Sequence, residues 1–269
     1  MAIPVLNGLH HDYRRALGAT GLDVVPVPVD EDGLVVERLE VSDPGLVITT
    51  PAHQYPTGAV LSAARRTQLL EWAEAHDSLI VEDDYDAEFR YDREPIGAMQ
   101  GLDPDRVIYA GTASKTLAPG LRLGWLAVPQ RMSTRVARAK VAADYGSGAL
   151  DQLTLTDFIE RGELDRHLRR MRRLYRARRD VLLGGLARYL PELQPMGASA
   201  GMHVIAHLPS SVDEAALVRA AAAAGIGLSG AAATYAEDAR PGLVFGYATI
   251  REHEIEPALE SLTRCLPSS

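Results

Sequence analysis

The sequence predicts an α/β fold, with a large domain built on a mostly parallel sheet and a smaller C-terminal α+β domain. Three short apolar runs, at residues 46–48, 79–81 and 107–109, have the composition of buried strands. Polar loops and helical segments alternate with these runs, which is the rhythm of βαβ units. The last third changes to alternating strands and alanine-rich helices. We therefore expect a large domain at 1–165 and a small domain at 166–269.

Composition excludes several classes of protein. The chain has 269 residues and a formal net charge of −8, which argues against a general nucleic-acid-binding surface. The single cysteine, Cys265, rules out an internal disulfide and suits a reducing compartment. The N-terminus lacks the features of a signal peptide, and no stretch approaches the roughly 20 apolar residues of a membrane span. We expect a soluble cytoplasmic protein without membrane contact.

The remaining elements follow from local patterns. Gly21 is expected to stop a helix over 11–21, and Ser62 to cap a helix over 62–76. Pro26 and Pro28 place the strand at 23–29 at a sheet edge or make it a crossing segment. Further elements are expected at these positions: a turn at 30–33, helices at 133–145 and 150–186, a strand at 201–208, a helix at 212–224, a strand at 243–250 and a helix at 252–266.

Polar segments follow three successive predicted strands, at 49–58, 82–85 and 111–115. In mostly parallel sheets the ligand lies outside the carboxyl ends of the strands. We therefore expect these three segments to lie side by side and to form the functional site.

Lys115 is the central candidate. It lies between two apolar runs that we expect to be buried strands, and lysine is rarely buried without a reason. Thr112, Ser114 and Arg122 surround it with hydroxyl donors and a planar guanidinium suited to a phosphate. A reactive amine beside an anion site is what a pyridoxal 5'-phosphate enzyme needs. A surface lysine at a helix start and a salt-bridged Arg122 are the alternatives.

Asp83 and Tyr85 end the strand that begins at residue 79. Residues i and i+2 of an extended segment face the same way, so both side chains are able to address the cofactor ring. A carboxylate at Asp83 would keep the pyridine nitrogen protonated, and Tyr85 would bond the phenolic oxygen. The neighbouring acids also suggest a metal site, but no histidine lies at ligand spacing along the sequence. We expect no metal.

Two other segments allow more than one interpretation. His53, Gln54 and Tyr55 precede a Pro-Thr-Gly turn and either contact the cofactor ring or shape the turn. The basic run at 166–179 carries apolar residues at helical spacing. Its arginines are therefore expected on a solvated face or at a subunit interface, and we expect no direct DNA binding by this chain.

Three motifs carry a family resemblance: TPAHQYPTG (50–58), VEDDYDAEFRY (81–91) and GTASKTLAPGLRLGW (111–125). They resemble the aminotransferase domain of MocR-type, GntR-family regulators, which are fold type I pyridoxal-phosphate proteins. The segment 157–175 is similar to the linking helix of that family. The resemblance implies Lys115 as the Schiff-base lysine, Asp83 and Tyr85 as ring partners, and Thr112, Ser114 and Arg122 as the phosphate cradle. It also implies a homodimer.

The sequence departs from the superfamily pattern at two site positions. Tyr55 replaces the asparagine before Pro-Thr-Gly, as in the MocR group, so that Gln54 or His53 would have to substitute for it. Val244 stands where the superfamily has an arginine for the substrate carboxylate, and Arg240 and Arg251 only flank that strand.

By the same resemblance, the chain would lack the N-terminal winged helix-turn-helix and the first part of the catalytic domain, including one side of the phosphate site. We expect an aminotransferase-like protein that acts on an amino acid or amine. The alternatives are an effector-sensing domain of a MocR-type regulator without its DNA-binding module, and a weakly active truncated homologue.

Overall fold

The computed structural model describes residues 2–6, 11–39, 45–91, 97–235 and 239–266. The strands are β1 (Ala2–Leu6), β2 (Asp23–Val27), β3 (Val29–Asp30), β4 (Gly33–Leu34), β5 (Leu46–Thr49), β6 (Leu79–Asp84), β7 (Val107–Thr112), β8 (Gly124–Ala127), β9 (Pro195–Met196), β10 (His203–His207), β11 (Ser229–Gly230) and β12 (Gly242–Gly246). The helices are α1 (His11–Gly18), α2 (Ala63–Ala75), α3 (Ser133–Asp144), α4 (Ala149–Glu160), α5 (Glu163–Tyr189), α6 (Glu214–Ala223) and α7 (Glu252–Thr263).

A six-stranded sheet forms the first half of the protein, with strand order β2-β1-β5-β6-β7-β8. The first five strands are parallel to one another, and β8 runs antiparallel to β7. The predicted mostly parallel sheet is therefore confirmed. β2, which contains Pro26, is the edge strand that its prolines require.

The apolar run that follows Lys115 forms β8, which is more exposed than the sequence predicts. β8 is the other edge of the sheet, and Trp125 and Leu126 are 44 % and 56 % exposed. The expectation of two buried strands around Lys115 is correct for β7 and wrong for β8. Apolar composition alone does not distinguish a buried strand from an edge strand whose side chains lack a covering layer.

Helix α2 covers one face of this sheet. It begins after Ser62, whose hydroxyl accepts a hydrogen bond from the backbone N–H of Arg65, as predicted for an N-cap. Leu69 and Ala73 are fully buried and pack with Val47 and Ile80 of the central strands. This packing fixes the position of the strands whose ends carry the polar segments.

A second sheet, with order β11-β12-β10-β9, lies in the last third of the chain. Its core contains side chains from α5, α6 and α7, including Leu186, Leu217 and Leu259, and also Phe89 from the loop after β6. Helix α5 runs without a break from Glu163 to Tyr189 across the proposed boundary at 165/166. The domain division stays a proposal.

Several arginines in the basic segment of α5 make contacts that stabilise the fold. Arg172, Arg176 and Arg178 donate hydrogen bonds to the backbone carbonyls of Glu88, Tyr91 and Ala248. Arg179 is 6 % exposed and lies over the ring of Tyr91. These four arginines hold α5 against the loop after β6 and against the segment after β12. Arg172 and Arg176 are nevertheless exposed, as predicted for a solvated face, whereas Arg178 is partly buried and Arg179 is buried.

Helices α3 and α4 bury no residue. They expose apolar side chains in an unusual number for a folded chain, and β8 adds two more. We define the apolar face as the exposed apolar residues of α3, of the turn after it and of α4: Val141, Tyr145, Leu150, Leu153 and Ile159.

Candidate functional site

The three polar segments lie side by side, as the fold rule predicts. β5, β6 and β7 are adjacent and parallel, so that their carboxyl ends meet at one edge of the sheet. Asp83 pairs in register with Ala110, and Asp84 pairs with Gly111. The loop after β5, the acidic end of β6 and the turn after β7 are therefore neighbours.

The acidic end of β6 divides into two faces. The Glu82 carboxylate accepts hydrogen bonds from the backbone N–H groups of Met99 and Gln100, at 3.1 Å each. The Asp84 carboxylate accepts from the hydroxyl of Tyr109 at 2.9 Å. Both acids therefore serve the fold, and strand alternation turns Asp83 to the opposite face.

Asp83 is the acid at the end of β6 that remains available to bind a ligand. Among the described residues its carboxylate has no hydrogen-bond partner. Burial, followed by the nearby charges of Asp84 and Asp86, raises the pKa of Asp83 to about 6. Within the part of the chain that the structure describes, its carboxylate therefore lacks a positive partner.

Tyr85 is held by the chain itself. Its hydroxyl donates a hydrogen bond to the backbone carbonyl of His53, with 2.8 Å between the two oxygens. Burial, followed by the charges of Asp86 and Asp83, raises the pKa of the Tyr85 phenol well above its usual value. Tyr85 is therefore a neutral phenol whose proton already has an acceptor.

Lys115 lies on the turn after β7 and is exposed, although the sequence had suggested a buried amine. Its charge contributes to the depressed pKa of His203, which places the two side chains near each other. Thr112 donates from its hydroxyl to the carbonyl of Leu123 and accepts from the N–H of Ser114. The Thr112 hydroxyl therefore shapes the turn that presents Lys115.

Arg122 is exposed and has a left-handed backbone, with φ of 51°. A residue that sequence reasoning missed, Tyr13 of α1, lies close to it. The charge of Asp83 raises the pKa of Tyr13, burial raises it further, and the charge of Arg122 lowers it. These effects place an aromatic ring near both residues. The only signal in the sequence is that a helix following a parallel strand begins at the same sheet edge.

The loop after β5 uses its polar side chains internally. Gln54 donates to the carbonyl of Tyr55 at 2.5 Å and accepts from the N–H of Thr57 at 3.2 Å, which closes the turn. His53 is 1 % exposed and its Nδ1 lies 2.9 Å from Oδ2 of Asp86. The structure thus favours the turn-shaping interpretation for Gln54. A contact of His53, Gln54 or Tyr55 with a cofactor stays a prediction.

Two further residues join this region. Asp86 and His203 are both buried, and the ring of His203 lies 4.8 Å from the ring of His53 and 5.0 Å from that of Tyr55, measured between centroids. Burial lowers the pKa of His203 to about 3, with smaller effects from His53 and Lys115. Neither residue was a candidate from the sequence. His203 lies more than one hundred residues from His53 and Asp86 along the chain, so no local pattern connects it with them.

The position expected for a substrate-binding arginine is apolar. Val244 is 6 % exposed and packs with Ile205 and Tyr55. Arg251 precedes α7, where its backbone N–H donates to the side chain of Glu254. Arg240 instead lines a separate cleft.

That cleft has a volume of about 880 Å³. The segments near Asp30 and Thr57 line one side of it, and residues 196–199 line the other. Arg240 and His207 also line it. Lys115, Asp83 and Arg122 do not line it, so this cleft and the candidate catalytic residues are separate features. Within the described ranges, no helix is both long enough and apolar enough to cross a membrane.

Comparison with known proteins identifies the family. Residues 2–262 match the family model for aminotransferase class I and II. The chain is 38 % identical over 257 residues to the HTH-type transcriptional regulator YhdI of Bacillus subtilis, covering 94 % of this chain and 54 % of that protein. It is 36 % identical over 252 residues to the probable rhizopine catabolism regulatory protein MocR of Rhizobium meliloti, covering 93 % and 51 %.

A solved structure agrees with the sequence matches. Kynurenine aminotransferase from Pyrococcus horikoshii superposes with a TM-score of 0.90 at 28 % identity, covering 98 % of this chain and 68 % of that one. The chain spans about half the length of the regulators it matches. The resemblance to the aminotransferase domain of MocR-type regulators is confirmed, and the chain belongs to the aminotransferase class I and II family.

Proposed function

We propose that this protein binds pyridoxal 5'-phosphate through Lys115 and acts on an amino acid or amine. The observation that carries the proposal is Asp83. This partly buried carboxylate has no hydrogen-bond partner among the described residues and lies at the same sheet edge as the turn that presents Lys115. A protonated ring nitrogen would supply the missing positive partner, and the family match makes a pyridine cofactor the natural donor.

The residues on the turn after β7 suit the aldehyde and the phosphate of this cofactor. The Lys115 amine would bond to the aldehyde carbon and afterwards move the substrate α-proton. Arg122 and Ser114 would hold the phosphate, with Thr112 fixing the turn between them. When bound, the cofactor supplies an electron sink that stabilises negative charge at the substrate α-carbon. Tyr13 lies near Asp83 and Arg122, where its ring would limit the access of water.

The lysine content of the chain permits a sharp test. The sequence contains two lysines, Lys115 and Lys140. Lys140 is exposed on α3 and pairs with Asp144, which makes it a matched control. Titration with pyridoxal phosphate should produce the visible absorption of a lysine-bound cofactor in the wild type and in Lys140→Ala. Lys115→Ala should abolish it.

Chemical trapping gives a second readout. After borohydride reduction and digestion, peptide mass spectrometry should find the phosphopyridoxyl group on Lys115. Modification mainly at Lys140 or at the amino terminus would overturn the proposal, and so would absence of the visible band at saturating cofactor.

A second candidate is an effector-sensing role, favoured by the regulators that match more than nine-tenths of this chain. Both functions use the same cofactor chemistry and differ in turnover. Addition of a panel of amino acids and amines should therefore change the cofactor spectrum in both cases. Release of a keto acid or aldehyde with repeated turnover supports the enzyme, and a spectral change without product release supports the sensor.

We also propose that the protein forms a homodimer in the cytoplasm. The apolar face supports dimer formation because its side chains are large, apolar and exposed, and exposed apolar groups in such number are typical of interaction surfaces. Sedimentation equilibrium should give a dimer mass, and Leu150→Glu together with Leu153→Glu should shift it to the monomer. A monomeric wild type at micromolar concentration would contradict this proposal. A single free cysteine is compatible with a reducing compartment.

A further inference from the structure

A buried cluster of three side chains with metal-binding atoms lies near Lys115. His53 follows β5, Asp86 follows β6, and His203 begins β10 of the second sheet. One ligand atom from each residue lies within 4.8 Å of the others. The side chains of His53 and Asp86 are about 1 % exposed, and that of His203 is 8 % exposed.

Both ring nitrogens of His53 face hydrogen-bond acceptors. Nδ1 lies 2.9 Å from Oδ2 of Asp86, and Nε2 lies 3.3 Å from the carbonyl oxygen of Gly197. A neutral imidazole has one N–H and therefore satisfies only one of these acceptors. If Nε2 donates to Gly197, the lone pair of Nδ1 points at a carboxylate. A cation between the two atoms would remove this repulsion, because both Nδ1 of His53 and Oδ2 of Asp86 would then bind the cation.

His203 has a free acceptor in the same cluster. Its ring forms a hydrogen bond with the backbone of Pro56, and proline has no N–H, so the carbonyl accepts and the imidazole donates. Nε2 of His203 has no partner, which identifies Nδ1 as the donor and leaves the Nε2 lone pair free. Oδ1 of Asp86 also has no partner. Buried acceptors without a donor are uncommon and costly.

We propose that His53, Asp86 and His203 form a binding site for a divalent transition-metal ion such as Zn²⁺. Two imidazole nitrogens and a carboxylate oxygen are a ligand set that Zn²⁺ accepts, with one position left for water. The carbonyl of Gly197 would accept a hydrogen bond from Nε2 of His53 and so fix its tautomer, as backbone carbonyls do for metal-bound histidines. The negative charges of Asp83 and Asp84 close to Asp86 also favour a cation.

The ion would join the two sheets. It would link the loops after β5 and β6 to β10, beside the turn that carries Lys115. The sequence had argued against a metal because no histidine lies near the acids, but folding brings His53 and His203 to Asp86 from 33 and 117 positions away. This proposal does not depend on cofactor binding.

The test begins with the full chain, refolded from denaturant in metal-free buffer or with Zn²⁺, because a buried site fills most readily during folding. Residues 10 and 11 form an adjacent histidine pair, so His10→Gln with His11→Gln serves as the background for all variants. After dialysis, elemental analysis should find about one zinc per chain. Competition with a chromophoric chelator should show at least a tenfold weaker affinity in Asp86→Asn and in His203→Gln.

His207→Gln is the matched control, since His207 lies on the same strand outside the cluster. It should retain zinc and should keep the rise in Tm that zinc causes in the parent chain. Circular dichroism of the metal-free variants checks that each one folds. If a variant fails to fold, X-ray absorption of the zinc-loaded parent decides, with two imidazole ligands expected at about 2.0–2.1 Å.

Three results would overturn the proposal. They are no zinc retained after refolding, equal retention by Asp86→Asn and His203→Gln, and a zinc environment that contains sulfur or lacks imidazole. The first would mean that water satisfies the buried acceptors.

Discussion

The hydroxyl of Tyr85 donates to the backbone carbonyl of His53 across 2.8 Å and so connects the end of β6 to the loop after β5. The same hydroxyl is the group that the family resemblance assigns to the phenolic oxygen of the cofactor. One proton cannot serve both acceptors at full strength, so cofactor binding would have to weaken the bond to His53 or use the hydroxyl as an acceptor.

Tyr85→Phe should therefore lower the free energy of unfolding of the cofactor-free chain by about 1 kcal/mol, because the buried carbonyl of His53 loses its donor. Urea unfolding followed by circular dichroism measures this change. Tyr145→Phe, at a side chain that is 94 % exposed, should have no effect. Unchanged stability in Tyr85→Phe together with weaker cofactor binding would mean that the hydroxyl serves the cofactor alone.

Asp83→Asn should stabilise the cofactor-free chain near pH 7. The pKa of Asp83 is about 6 in the folded chain and lower when unfolded, so the folded state binds the proton more tightly and stability falls as the pH rises from about 4 to 6. Removal of the charge should recover up to about 3 kcal/mol at neutral pH. The same variant should bind pyridoxal phosphate more weakly, and thermal unfolding with cofactor titration measures both effects.

Cofactor affinity should also depend on pH through Asp83. As the pH rises through about 6 the carboxyl becomes ionised and able to pair with a protonated ring nitrogen. Affinity should therefore increase between pH 5 and 7. Because the cofactor titrates as well, the ratio of wild-type to Asp83→Asn affinity is the quantity to follow. A ratio that stays constant over this range would exclude Asp83 as the ring partner.

Gly201→Ala should destabilise the protein strongly. Gly201 has φ of +79°, and a Cβ there would lie 2.1 Å from Cε1 of His53 and 2.8 Å from Oδ2 of Asp86. Gly225 has nearly the same φ of +78° and nothing within 4 Å of its Cβ position. Gly225→Ala should therefore cost about 1 kcal/mol from backbone strain alone, and Gly201→Ala should cost at least twice as much. Equal urea midpoints for the two variants would contradict this close packing.

Glu82→Ala should cost about 2–4 kcal/mol. The buried Glu82 carboxylate accepts the N–H groups of Met99 and Gln100, and both donors would be left unpaired. Glu37→Ala, at an exposed side chain, is the control. A cost below about 1 kcal/mol in urea unfolding would show that water replaces the carboxylate at these two amides.

Local sequence predicted most of the elements because their signals are local. The apolar periodicity of α2 and its Ser62 cap gave the start of that helix, and the prolines of β2 gave its edge position. The juxtaposition of the three polar segments followed from strand order in a parallel sheet. The exposure of Trp125 in β8 did not follow, because burial depends on which layer covers a strand.

The sequence by itself determined the family, the mostly parallel sheet and the segment that carries Lys115, since each of these depends on residue types at short spacing. Only the tertiary structure decided which side chains lie close together. It assigned Glu82 and Asp84 to backbone and phenol partners, left Asp83 available, and brought His203 to Asp86 across more than one hundred residues. Contacts of that range form when separate elements pack together, and no local pattern encodes them.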